Sequence, residues 1–213
     1  MTKKAIFFDL DGTLTDSGEG IINCATLALN HYGIPVPSRE EMCVFVGPPL
    51  DQTFIRFGVP EDKAYEAIEV FRSRYNTVGK YENFPYPGIR EMLEKLQTDG
   101  FRLFVATSKP EVLANDVLEH FDLARYFELI CGATLDGSRI HKADVITYLL
   151  AQSSDVENII MVGDTAYDVI GAAAHKIPCV GVSWGYGLVK DMVEAGACAI
   201  ANTPEDLIKI LEA

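Results

Sequence analysis

Ala5-Ile6-Phe7-Phe8 runs straight into Asp9-Leu10-Asp11-Gly12-Thr13. A short, unbroken apolar run with aromatic and β-branched residues, closed by a polar and glycine break, predicts a strand covered on both faces. Leu103 to Ala106, Ile159 to Val162 and Cys179 to Val182 repeat the pattern. Between and after them lie helical patterns at Pro110 to His120, Lys142 to Ala151, Thr165 to Ala174 and Pro204 to Leu211. From about Tyr86 onward strand and helix alternate, which predicts a parallel sheet with helices on both faces. The expected class is α/β, with a parallel sheet as the core.

About ninety residues separate the first apolar run from the second, far more than one crossover needs, and they are helical in pattern throughout. Ile21, Ile22, Ala25 and Leu29 form one stripe that stops at Gly33, and Ala64, Ile68, Phe71 and Tyr75 form another after Pro60. An inserted helical subdomain is the economical reading. Thr15-Asp16-Ser17-Gly18 and Asn83-Phe84-Pro85-Tyr86-Pro87-Gly88 bound it with the composition of a paired hinge. The expected division is a catalytic core of residues 1–15 and 84–213 and a cap of residues 16–83.

Among 213 residues, 48% are hydrophobic and 23% charged, which excludes a disordered, collagen-like or disulfide-scaffold chain. Thirty-one acidic against eighteen basic side chains leave a net charge of -13, so nucleic acid and anionic membranes are not expected partners. The five cysteines are odd in number and contain no Cys-x-x-Cys pair, the pattern of reduced thiols in a cytoplasmic protein. Lys3 and Lys4 precede only four apolar residues, too few for a signal-peptide core or a membrane span. Nothing in the pattern sets an oligomeric state.

In a parallel α/β sheet, ligands bind beyond the carboxyl ends of the strands. There the first strand delivers Asp9 and Asp11, the second Thr107-Ser108-Lys109, and the third Gly163-Asp164-Thr165 with Asp168 one helical turn on. Asp9 and Asp11 are two residues apart and point the same way in an extended chain, so four carboxylates are expected to crowd together. Two unit charges about 4 Å apart repel by roughly 4 kcal/mol at an effective dielectric near 20, so the cluster must take protons or a cation. Hard oxygen donors suit Mg2+. A metal-bound aspartate is a known phosphoryl nucleophile, and a second carboxylic acid can protonate the leaving alkoxide and then take a proton from water. Thr107, the backbone at Ser108 and Lys142 are candidates to hold the phosphoryl oxygens.

Asp9-Leu10-Asp11-Gly12-Thr13, Thr107-Ser108-Lys109-Pro110, Lys142 and Gly163-Asp164-Thr165-Ala166-Tyr167-Asp168 resemble, in order and spacing, the four motifs of the haloacid dehalogenase-like phosphohydrolases. With its helical insertion after the first motif, the chain is most similar to the phosphoglycolate phosphatase-like branch. The resemblance implies a mobile four-helix cap over a modified Rossmann-like core. It also implies Asp9 as nucleophile and magnesium ligand, and Asp11 as general acid/base and ligand through its main-chain carbonyl. Thr107, Ser108 and Lys142 would bind phosphate, Asp164 would be the third protein ligand, and Asp168 would lie close by or behind it.

Ala143 stands where many relatives place proline, and Leu135-Asp136-Gly137-Ser138-Arg139 is not general to the family. With Thr107-Ser108-Lys109-Pro110, that segment looks more like the bacterial 5'-nucleotidase-like members. Arg139 is expected to add a cationic contact near the phosphate. Trp184, between glycines, is expected to pack a loop over the sheet edge close to the site. The expected activity is magnesium-dependent hydrolysis of a small phosphorylated metabolite, of phosphoglycolate or nucleoside 5'-monophosphate type, through an aspartyl-phosphate on Asp9. A phosphomutase of the β-phosphoglucomutase type is the alternative within the fold. A receiver-like phospho-aspartate switch shares the carboxylates but is much shorter and has no helical insertion of ninety or so residues.

Overall fold

The computed structural model describes residues 4–153 and 155–212. Six strands form the main sheet: β1 (Lys4–Phe8), β4 (Arg102–Pro110), β5 (Leu129–Ala133), β6 (Glu157–Gly163), β7 (Cys179–Val182) and β8 (Ala199–Ala201). Their order is β5-β4-β1-β6-β7-β8, and every pair is parallel. β1 therefore lies between β4 and β6, where the chain switches from one side of the sheet to the other. Parallel sheets open a binding crevice at that point. Asp9, Thr107 and Asp164 stand near its rim because β1, β4 and β6 are neighbours.

β1 shows why the apolar run does not alternate with polar residues. Ile6 and Phe8 point to one face and pack with α5 (Ile89–Thr98), α6 (Glu111–His120) and α10 (Pro204–Glu212). Ala5 and Phe7 point to the other and pack with α7 (Lys142–Gln152), α8 (Ala166–Ala173) and α9 (Val189–Glu194). Each residue of the run is fully buried, so each needs an apolar side chain. The Phe7 and Phe104 rings meet edge to face at 5.5 Å across the β1/β4 pair.

β5 and β8 were not expected from sequence. Leu129-Ile130-Cys131-Gly132-Ala133 and Ala199-Ile200-Ala201 are short and rich in small residues, and they are strands because a neighbouring strand completes them. The two hinge-like segments do more than bend. They pair antiparallel as β2 (Thr15–Asp16) and β3 (Phe84–Pro85), with Thr15 opposite Pro85 and Asp16 opposite Phe84.

Between β2 and β3 the chain forms α1 (Gly18–His31), α2 (Arg39–Met42), α3 (Leu50–Arg56) and α4 (Ala64–Tyr75). These close around an apolar cluster of their own, in which Ile22, Leu29, Phe45, Phe54, Phe71 and Tyr75 are buried. α1 ends where sequence placed the stop: Gly33 has a φ of +65°, and the Ile34 N–H turns back to the Leu29 carbonyl at 3.0 Å. The five cysteines are unpaired, with Cys24, Cys131 and Cys179 buried and Cys198 exposed. Among the described residues, no helix is long and apolar enough to cross a membrane.

Candidate active site

Asp9 follows β1 directly, and its N–H extends the ladder to Val162 O at 2.9 Å. The backbone then curls at once: the N–H groups of Thr13, Leu14 and Thr15 all converge on Leu10 O, and Gly12 takes a φ of +82°. Gly12 suits that φ without steric cost. A Cβ there would also lie 2.3 Å from Asp164 Oδ2, so the loop can rest against Asp164 only as glycine.

β6 ends at Gly163 and presents Asp164, which is fully buried. Its Oδ1 accepts from Thr13 Oγ1 at 3.2 Å and its Oδ2 from the Tyr186 N–H at 2.8 Å. Asp168 sits in the first turn of α8, where its Oδ2 accepts from both the N–H and the Oγ1 of Thr165. Its Oδ1 faces Lys142 Nζ at 2.8 Å. That ammonium also lies 2.9 Å from Asp9 Oδ1 and donates to the Ala106 carbonyl at 2.9 Å. A lysine opening a helix opposes the helix dipole. Here it is held by two carboxylates instead, Asp9 after β1 and Asp168 in the first turn of α8.

One oxygen each from Asp9, Asp164 and Asp168 falls within 4.8 Å of the others. Burial pushes Asp9 up to about 6, with Lys142 opposing the rise and Asp168 adding to it. Burial also pushes Asp164 up to about 7, helped by the like charges of Asp168 and Asp9. Burial works to discharge Lys142, but Asp168 and Asp9 more than offset it and hold the ammonium above the ordinary lysine range.

Asp11 departs from the expected cluster of four. The turn at Leu10 breaks the extended geometry that would have aligned it with Asp9, and Lys109 draws its carboxylate away. Lys109 Nζ lies 2.8 Å and 2.9 Å from the two Asp11 oxygens and also touches the Tyr75 hydroxyl. Thr107, buried in the second half of β4, braces this segment by accepting the Lys109 N–H at 3.2 Å.

A cavity of about 410 Å3 opens above these groups. Asp9, Asp11, Thr107, Ser108 and Lys109 line its base, and residues of α3 and α4 line its roof. Asp9 is the residue common to the cavity wall and the buried acidic cluster.

The family model for haloacid dehalogenase-like hydrolases matches residues 6–182, an interval that contains Asp9, Asp11, Thr107, Lys109, Lys142, Asp164 and Asp168. The chain belongs to the haloacid dehalogenase-like hydrolases. The 5'-nucleotidase of Pseudomonas aeruginosa is 43% identical over 184 residues, covering 85% of this chain and 83% of its own. The tyrosine-protein kinase PtkA of Mycobacterium tuberculosis is 43% identical over 211 residues, covering 99% of this chain and 72% of its own. Among solved structures, a predicted phosphatase from Clostridium acetobutylicum superposes with a TM-score of 0.94 at 42% identity, covering 100% of both chains.

In this haloacid dehalogenase-like hydrolase, Arg139 stands apart from the cluster. Its Nη2 pairs with Glu111 Oε2 at 2.7 Å, its Nε donates to Gly132 O at 2.8 Å, and its guanidinium lies 3.8 Å from the centre of the Tyr148 ring. Those contacts fasten the segment after β5 to α6, in place of the expected phosphate contact. Sequence reasoning quoted Lys109 without giving it a role and read Tyr75 as core alone. A lysine two residues after a threonine delivered to the site was the available signal for Lys109. Nothing in the sequence pattern could place Tyr75 against it.

The loop bearing Trp184 does approach the site: Trp184 Nε1 donates to Thr13 O at 3.0 Å, and a Cβ at Gly185 would lie 2.3 Å from Asp164 Cβ and 2.4 Å from Gly12 O. Gly185→Ala is therefore expected to displace Asp164 and cost about 1–3 kcal/mol, read as a lowered melting temperature. An unchanged melting temperature would show that the loop yields without strain.

Proposed function

We propose that this hydrolase is a magnesium-dependent phosphomonoesterase that carries the phosphoryl group on Asp9. The observation that supports it is the shared position of Asp9, with one side in the cavity and the other in a buried cluster of carboxylates and Lys142. Asp9 would be the nucleophile. Asp11 would protonate the leaving oxygen and later take a proton from water. Thr107, the backbone at Ser108 and Lys142 would hold the phosphoryl oxygens.

The donor set fits magnesium. Three buried carboxylates meet around a single ammonium, and burial, helped by their like charges, raises both Asp9 and Asp164. Asp9, Asp164 and the Asp11 carbonyl would hold the ion, while Asp168, whose oxygens serve Thr165 and Lys142, would fix Lys142 in place. When bound, the ion would supply charge neutralisation at the phosphoryl oxygens.

The cavity favours a nucleoside-sized ester over phosphoglycolate. Its roof includes Phe45, Leu50, Ile68 and Phe71, which suit a flat or apolar body. A second carboxylate would need a cation, yet the cavity-lining Lys109 is paired with Asp11 and Arg72 with Glu69. The relative named 5'-nucleotidase points the same way. The test is phosphate release, with magnesium, from nucleoside 5'-monophosphates, phosphoglycolate and sugar phosphates. The expected kcat/KM is at least about tenfold higher for a nucleoside monophosphate than for phosphoglycolate, a gap of about 1.4 kcal/mol. Isomerised sugar phosphate without free phosphate would favour the mutase and overturn the hydrolase.

A pH dependence follows from the raised carboxylates. Asp9 and Asp164 rise from 3.8 to about 6 and about 7 in the fold, so the folded state holds more protons than the unfolded chain between those limits. The metal-free protein should thus lose stability as pH rises from about 4 to about 7. Magnesium expels the same protons and should bind more tightly over that range, with proton release visible by calorimetry in buffers of different ionisation heat. Affinity that does not change with pH would contradict the assignment of these two groups.

A further inference from the structure

Lys109 is buried, and its ammonium has partners on two separate parts of the molecule. Asp11 belongs to the loop after β1 and receives two contacts, at 2.8 Å and 2.9 Å; Tyr75 is the last residue of α4 and belongs to the helical insertion. A buried ammonium must have its protons accepted, and a lysine side chain has many rotamers to choose among. Asp11 alone could accept while the pair swung together. The Tyr75 hydroxyl removes that freedom, because Tyr75 is itself buried and stacked on Phe71 at 5.1 Å in the cluster of the insertion.

The insertion joins the core through the short β2/β3 pair, so its position relative to Lys109 can change by rotation there. We propose that Lys109 is a positioning residue for Asp11, and that Tyr75 makes this positioning conditional on the helical insertion lying over the core. With Tyr75 in place, Lys109 is pinned and the Asp11 carboxyl is held at the cavity base. With Tyr75 withdrawn, Lys109 and Asp11 gain rotamers and the acid loses its register with the leaving oxygen. The enzyme would then couple covering of the substrate to readiness of its acid, which limits chemistry in the uncovered state.

This inference rests on the phosphatase reading, and leaving groups separate the two. An alkyl phosphate needs its departing oxygen protonated, whereas nitrophenolate leaves with little help. Lys109→Met is expected to lower kcat on an alkyl phosphate about 100-fold, within the usual range for general acid catalysis, and on p-nitrophenyl phosphate less than about tenfold, with KM changed less than about threefold. Tyr75→Phe should show the same preference at about 5–10-fold on the alkyl ester, and it keeps the ring packing should Lys109→Met fail to fold. Equal losses on both esters, a raised KM with unchanged kcat, or wild-type behaviour of Tyr75→Phe would overturn the inference. If the wild-type enzyme releases phosphate from neither ester, the phosphatase reading itself fails, and it fails independently of both variants.

Discussion

Asp9→Asn will keep the fold and lose phosphatase turnover by roughly four to six orders of magnitude, the scale seen when a catalytic nucleophile is removed. Asparagine fills the same volume but its amide is a poor nucleophile. The stability of the variant carries its own information. Burial already opposes the charge on Asp9, so a neutral amide relieves the metal-free protein at neutral pH. Lys142 keeps Asp168 and the Ala106 carbonyl as partners. The metal-free variant is therefore expected to melt no lower than the metal-free wild type at pH 7.5, and a little higher if the relief exceeds the lost contact. Such a trade between stability and activity is common at active sites. Retained turnover in the variant would remove Asp9 from the chemistry.

Lys142→Met should be the most damaging substitution for the protein as a whole. Its ammonium sits between Asp9 and Asp168 at 2.9 Å and 2.8 Å, and all three groups are buried. Removing one partner of a buried ionic set leaves charges with no compensation and costs about 3–5 kcal/mol. In a chain of this size each kcal/mol corresponds to about 2–4 °C, so the melting temperature should fall by roughly 6–20 °C at pH 7.5. Lowering the pH should recover part of that loss, because protonation neutralises the stranded carboxylates. A variant as stable as wild type at pH 7.5 would mean that water reaches the cluster and that its burial does not govern its charge.

The core was legible because parallel strands covered on both faces must be apolar at every position. Ala5 to Phe8 has that character, with Ile6 and Phe8 serving one helical layer and Ala5 and Phe7 the other. β5 and β8 escaped because small residues such as Gly132 and Ala199 carry little strand preference of their own. At the sheet edge, the positions of Asp9, Thr107, Lys142 and Asp164 were legible because each follows an apolar run or opens a helix next to the switch point. The side chain of Asp11 was misread because the chain does not stay extended past Asp9: the N–H groups of Thr13, Leu14 and Thr15 return to Leu10 O, and Gly12 turns with a positive φ. The pairing of Arg139 with Glu111 was not legible because net charge says nothing about which carboxylate a particular arginine meets. The bridge from Lys109 to Tyr75 joins residues 34 apart in sequence, one on β4 and the other at the end of α4, a relation no local pattern encodes.

A covalent phosphoryl group on Asp9 is the central claim. Mixing the enzyme briefly with magnesium and a nucleoside 5'-monophosphate, quenching in acid, reducing with borohydride and sequencing the peptides by mass spectrometry tests it directly. An acyl phosphate on Asp9 is reduced to homoserine, so the account predicts homoserine at position 9 in the wild-type enzyme and aspartate at positions 11, 164 and 168. Aspartate remaining at position 9 while phosphate is being released would contradict it.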